Sequence, residues 1–349
     1  MNRRTFSKRI AAVTPLIGFP FIGFTKHSSM TFSKRIIKPK RLKPGDTIGL
    51  ITPASPITEE QLDKAIQNIK DLGFKLAYNR RRLLARNGYL AGKDIVRADE
   101  INRMFDNKDI DGIWCIRGGY GVTRMLDMLN YKVIRQNPKP LIGYSDVTAL
   151  HQAIFKKTGL VCFHGPVGAS EFTSYTQKYI TQVISETNAP FKIEASPQNE
   201  AMENRVYNSY VINDGIAEGR LIGGNLTLVS SLVGTPYDIS YKDKLVFLED
   251  VGEKPYRIDR MLTQMLSAGK FDKVKGIILG VFYNCEASES ENSLTLAEMF
   301  EDRLGALNIP VIYGMSFGHI SNQFTLPLGI NARLNTTDKT LTLLEAAVI

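Results

Sequence analysis

From Leu42 onward, short apolar runs alternate with segments of helical period, and that alternation admits few architectures. Thr47 to Ile51 is apolar and stops at Thr52-Pro53-Ala54-Ser55-Pro56. Thr58 is placed to cap a helix starting at Glu59, where Leu62, Ile66 and Ile69 recur at helical spacing before Gly73. The pattern then predicts a strand over 74–78, a helix over 94–105, a strand over 110–116 and a helix over 122–129. A further strand runs from Lys139 to Tyr144 and gives way to a helix after Ser145. Strands separated by helical crossovers pair in parallel, and a parallel sheet must be covered on both faces. Ligands of such sheets bind at the loops beyond the strands' carboxyl ends.

After Gly165-Pro166 the pattern changes. Residues 170–215 are polar and irregular, with one helix expected over 175–187. A second alternating region follows. It contains Gly223-Gly224-Asn225, a strand over 245–248, a helix over 256–268, a strand over 276–281 and a late strand pair around 330–344. The expected organisation is a leader and linker over 1–41 and a parallel-sheet α/β domain (Rossmann- or flavodoxin-like) over 42–168. A connection over 169–215 then leads to a mixed α/β domain with antiparallel character over 216–349.

The formal charge of +9 would suggest nucleic acid or an anionic membrane as partner, but its placement removes that argument. Ten of the 44 basic residues, and none of the 35 acidic ones, lie within residues 1–41, leaving 34 against 35 in the body. The leader itself reads as an address. Arg3-Arg4-Thr5-Phe6 with Lys8 is a twin-arginine pattern, followed by the mostly apolar run from Ile10 to Phe24. That run, broken by Pro15 and Pro20, falls short of the roughly 20 residues a stable span needs. Export, to the periplasm or beyond, is the expectation. Thr31-Phe32-Ser33-Lys34-Arg35-Ile36 repeats Thr5 through Ile10, and a start at Met30 would instead give a cytoplasmic chain.

Cys115, Cys162 and Cys285 form no C-x-x-C pair and are odd in number, which favours buried free thiols. The four histidines are scattered without ligand spacing, so neither a metal nor another cofactor is expected.

Three apolar strands end in residues capable of chemistry: Ser145, Glu249 after Leu245-Val246-Phe247-Leu248, and His319 after Val311-Ile312-Tyr313. A hydroxyl, an imidazole and a carboxylate are the parts of nucleophilic acyl transfer. Each also has a plainer reading. Ser145-Asp146 would serve as a helix cap, Glu249-Asp250 as an acid pair opening a helix, and His319 as a turn residue. The elbow around Ser145 lacks G-x-S-x-G. Arg117-Gly118-Gly119-Tyr120-Gly121 allows close backbone approach and suits an oxyanion or a carboxylate. His151 points away from the elbow and suits packing.

These segments, in order with His164-Gly165-Pro166, Gly223-Gly224-Asn225-Leu226, Leu248-Glu249-Asp250-Val251-Gly252-Glu253, Tyr256-Arg257-Ile258-Asp259-Arg260 and Phe317-Gly318-His319, resemble the LD-carboxypeptidases. That group of serine peptidases includes muramoyltetrapeptide carboxypeptidases and microcin-C immunity peptidases. The resemblance implies a Ser145–His319–Glu249 triad split between the two domains and an oxyanion hole from the N–H groups of Gly119 and Asp146. It also implies a homodimer and a murein-derived peptide substrate that loses its terminal D-alanine through an acyl-enzyme. Arg117, Gly118, Tyr144 and Asn225 are the expected substrate contacts. The alternatives are a microcin-immunity-type peptidase and a murein-peptide binding protein without a working triad.

Overall fold

Five short strands, buried except for the edge strand Lys75–Ala77, build the parallel part of the first sheet. They are β1 (Thr47–Ile51), β2 (Lys75–Ala77), β3 (Gly112–Cys115), β4 (Leu141–Gly143) and β5 (Phe163–His164), all paired in parallel in the order β5-β4-β3-β1-β2. Every residue of β3 and β4 is buried, as helices on both faces require. The computed structural model describes residues 35–288 and 292–349, so the leader lies outside the described residues.

Local signals held where they were strong. Thr58 and Gln61 form a reciprocal capping box on the helix Glu59–Asp71, whose Leu62, Ala65 and Ile69 face the core. The helix expected at 122–129 is instead a 3-10 helix over Val122–Met128. It is confined between Gly121, at φ 126°, and the Asn130 cap of the next helix, Tyr131–Gln136, a short span of the kind that 3-10 winding fills.

The second sheet takes its strands from the rest of the chain: β6 (Phe191–Glu194), β7 (Tyr210–Asn213), β8 (Ile216–Asn225), β9 (Lys244–Glu249), β10 (Gly276–Leu279) and β11 (Val311–Tyr313). Next comes β12 (Leu326–Pro327), which crosses back to the first sheet and pairs antiparallel with β5, Leu326 opposite His164. β13 (Asn331–Asn335) and β14 (Thr340–Leu343) complete the second sheet, ordered β6-β14-β13-β8-β9-β10-β11-β7. Its centre, β8 to β11, is parallel and its flanks are antiparallel. The segment read as a polar connection supplies both edge strands, β6 and β7.

The helix Val147–Thr158 joins the two sheets. Nearly all of it is buried, which a helix between two layers requires. Thr148 Oγ1 accepts the Asn225 N–H at 3.0 Å, and Gln152 Nε2 donates to the Gly223 carbonyl at 2.6 Å. The helix that starts beside Ser145 is thus fixed to the end of β8, next to β9. All three cysteines are buried free thiols. Among the described residues, no helix is long and apolar enough to cross a membrane.

Candidate active site

Ser145 lies two residues beyond β4 with φ 65°. A residue with a β-carbon pays roughly 1–2 kcal/mol for that left-handed conformation. The turn is held by Thr148 N–H donating to the Ser145 carbonyl at 2.8 Å. Asp146, which the plainer reading made a cap, has no side-chain bond to its own helix. Its Oδ2 instead accepts the Val122 N–H at 2.8 Å, tying the serine turn to the end of the glycine loop. Burial pushes the Asp146 carboxyl up to about 6.

The glycine loop lies directly against the serine. A β-carbon at Gly118 would come within 2.7 Å of Ser145 Cβ and 3.3 Å of the Asp146 nitrogen. At Gly119, φ is 116° and a β-carbon would meet Ser55 Oγ at 2.3 Å. Only glycine permits this approach. The 52–56 turn braces the loop: Ser55 Oγ accepts the Tyr120 N–H, and Arg117 Nη1 donates to the Pro56 carbonyl at 2.9 Å. Among the described residues, the backbone N–H groups of Gly119 and Asp146 donate to no protein group. Neither does the Ser145 hydroxyl have a hydrogen-bond partner there, so no bond joins it to His319.

The half built from Glu249 and His319 is arranged differently. Glu249 ends β9 in the interior, with no exposed surface, and its Oε2 lies 2.8 Å from His319 Nδ1. Burial works against the Glu249 charge, but the charge and hydrogen bond of His319 hold the carboxyl below its ordinary range. For His319, burial favours the neutral ring, and the Glu249 charge and hydrogen bond outweigh it, raising the imidazole above its ordinary 6.5. With Nδ1 engaged by the carboxylate, Nε2 is the nitrogen left for proton exchange. Asp250 opens no helix. It accepts from Asn225 Nδ2 at 3.0 Å, Thr227 N–H at 2.9 Å and Val251 N–H at 2.9 Å. Burial, with Glu249 adjacent, pushes Asp250 up to about 6.

The halves meet at Tyr144, whose ring centroid lies 4.6 Å from that of His319. A cavity of about 230 Å³ opens there, lined by Tyr144, Ser170, Glu171, Tyr207, Tyr283 and His319 among others. A larger cavity of about 550 Å³, lined by Tyr256 and Leu294, touches none of these groups. The structure therefore brings Ser145, Gly118, Asp146 and Gly119 together on one side, and Glu249 and His319 on the other. Asn225 is buried, with its carbonyl on Leu228 N–H and its amide on Asp250, and so braces the carboxylate end of β9. Sequence reasoning assigned no role to Ser55, Glu171, Tyr207 or Tyr283, since their approach depends on loops far apart in the chain. It also left His164 unassigned, although its segment stood out.

Residues 48–165 match the LD-carboxypeptidase N-terminal domain and residues 218–334 the LD-carboxypeptidase C-terminal domain. The chain is 38% identical over 316 residues, 89% of its length and 95% of the relative's, to the probable murein peptide carboxypeptidase of Bacillus subtilis. It is 30% identical to the murein tetrapeptide carboxypeptidase of Pseudomonas aeruginosa, covering 82% of this chain and 92% of that one. The solved structure of MccF in complex with glutamyl sulfamoyl guanosine superposes with a TM-score of 0.81 at 26% identity, covering 89% of this chain and 99% of that one.

Proposed function

The chain belongs to the LD-carboxypeptidase family of serine-type hydrolases, and from that premise we propose that it releases the terminal D-alanine of murein tetrapeptides through a Ser145–His319–Glu249 triad. His319 Nε2 takes the Ser145 proton as Oγ attacks the carbonyl joining the L-centre of the diamino acid to D-alanine. The N–H groups of Gly119 and Asp146 are free to receive the oxyanion. His319 returns the proton to the leaving amine, and water then hydrolyses the acyl-enzyme by the same path. The carrying observation is the 2.8 Å contact of His319 Nδ1 with a wholly buried Glu249, together with a serine at φ 65° whose chain neighbour Tyr144 packs against the His319 ring.

Glu171, on the wall of the cavity, is the charge complement of a side-chain ammonium on the diamino acid. Leader-directed export and a homodimer complete the reading. Cell fractionation and sedimentation test them. The central test incubates the protein with disaccharide tetrapeptide and with L,D- and D,D-linked peptides and identifies the amino acid released. D-alanine from the L,D bond alone, abolished by Ser145→Ala, is expected. Release unaffected by that substitution would sink the reading.

A second substrate class has support of its own. The rings of Tyr207 and Tyr283 stand 6.3 Å apart on the cavity wall, a surface on which a nucleobase stacks. MccF, of the same fold, has been solved with a sulfamoyl nucleoside conjugate. Hydrolysis of an aminoacyl sulfamoyl adenosine faster than of the tetrapeptide would favour this class.

A further inference from the structure

His164 ends β5 with 1% of its surface exposed. Neither ring nitrogen has a hydrogen-bond partner. Its Nε2 lies 3.9 Å from Glu249 Oε1, and that oxygen is also buried without a partner. Two orphaned polar atoms therefore face each other on the side of the carboxylate opposite His319. Buried polar groups are nearly always paired, so such a juxtaposition calls for an explanation.

The ring is held in place by packing. Tyr144, Phe247 and Phe317 stand edge-on to it, with centroids 6.0, 5.4 and 6.3 Å away. Burial drives the imidazole down to about 4, with Glu249 opposing that shift and His319 adding to it, so the ring is neutral at working pH. The remaining titratable neighbour, His151, is driven down to about 3 by burial and by His164. A neutral imidazole carries one N–H. An unprotonated Nε2 would set a lone pair against the anionic oxygen, so Nε2 is the protonated nitrogen.

We propose that His164 is a positioning residue that donates Nε2–H to Glu249 Oε1, closing the 3.9 Å separation when the site engages a ligand. With both carboxylate oxygens held, Glu249 cannot swing, and His319 stays aimed at Ser145. The logic is that of an outer partner fixing a ligating or catalytic group, whose loss commonly reduces activity 10- to 100-fold. The inference rests on the triad reading above.

The test measures phosphonylation of Ser145 by a fluorophosphonate, Oγ displacing fluoride at phosphorus, in the full chain, with melting temperatures recorded in parallel. His164→Phe fills the space without a donor, and His164→Gln keeps an N–H near the same place. The expected outcome is a maximal labelling rate lowered about 10-fold or more in the Phe variant, with unchanged probe affinity, and recovery to within about 3-fold in the Gln variant. Equal labelling of wild type and His164→Phe, or a Gln variant as slow as the Phe one, overturns the proposal alone. A wild-type protein that is not labelled at Ser145 overturns the triad and this proposal together. Nitrogen NMR of the wild type, which needs no variant to fold, is expected to find His164 protonated at Nε2. Protonation at Nδ1 overturns it.

Discussion

The two halves of the site are built on opposite principles. Around Ser145 the backbone is strained, two N–H groups are free, and the hydroxyl is unbonded. Around Glu249 the carboxylate is buried and tied to a half-buried His319, and Asp250 and Asn225 brace the strand end beneath them. One half is open, its N–H groups available to the substrate oxygen of the proposed reaction. In the other, His319 is already hydrogen-bonded to Glu249. On the proposed triad reading, this design has the carboxylate–imidazole bond in place and leaves the hydrogen bond from serine to imidazole to form in the occupied site.

The largest expected effect tests the open half. Ser145→Ala should lower kcat by about 10⁴-fold or more while the fold persists, checked by D-alanine release and circular dichroism. Glu249→Gln tests the closed half and should cost roughly 10³–10⁴-fold in kcat. It also carries a signed pH effect. Because Glu249 raises His319 above 6.5, activity of the wild type falls as pH drops through that elevated value, where the base becomes protonated. In the Gln variant the acidic limb of kcat/KM should move to lower pH, and a limb that stays in place would break the assignment of His319 as the base. Gly118→Ala forces a β-carbon onto Ser145. A loss of about 10²-fold in kcat is expected, of the size seen when an oxyanion donor is displaced.

Smaller effects sharpen the contrast. Glu171→Gln should raise KM for a substrate with a free side-chain amine by about 3- to 5-fold, as an exposed charge pair allows, and leave an acetylated substrate unaffected. Ser145→Gly should be more stable than Ser145→Ala by about 1 kcal/mol, because glycine relieves the left-handed strain. Thermal unfolding of the pair measures it, and equal stability would mean the turn stores no strain.

Much of this was legible in the chain. Thr58 announced its helix through side-chain chemistry a few residues long, and the strands ending at Ser145 and Glu249 announced themselves as apolar runs. The edge strands β6 and β7 did not, because only Ile193 of β6 is buried, between Lys192 and Glu194, and no residue of the four-residue β7 is buried. Asp146 misled for another reason. Acid after serine at a helix start reads as a cap, yet its partner is Val122, 24 residues upstream. No local pattern encodes such a pairing. The facing of His164 and Glu249 was hidden likewise, since it depends on one sheet packing beside the other.

β12 has a consequence for how this molecule can be divided. Two residues from the C-terminal half, Leu326 and Pro327, seal the edge of β5 in the N-terminal sheet. A fragment ending near residue 168 would expose that edge as a template for its neighbours, inviting self-association. The chain is therefore expected to resist dissection into two transplantable modules, and a nick between its halves should yield a clasped complex rather than two free pieces.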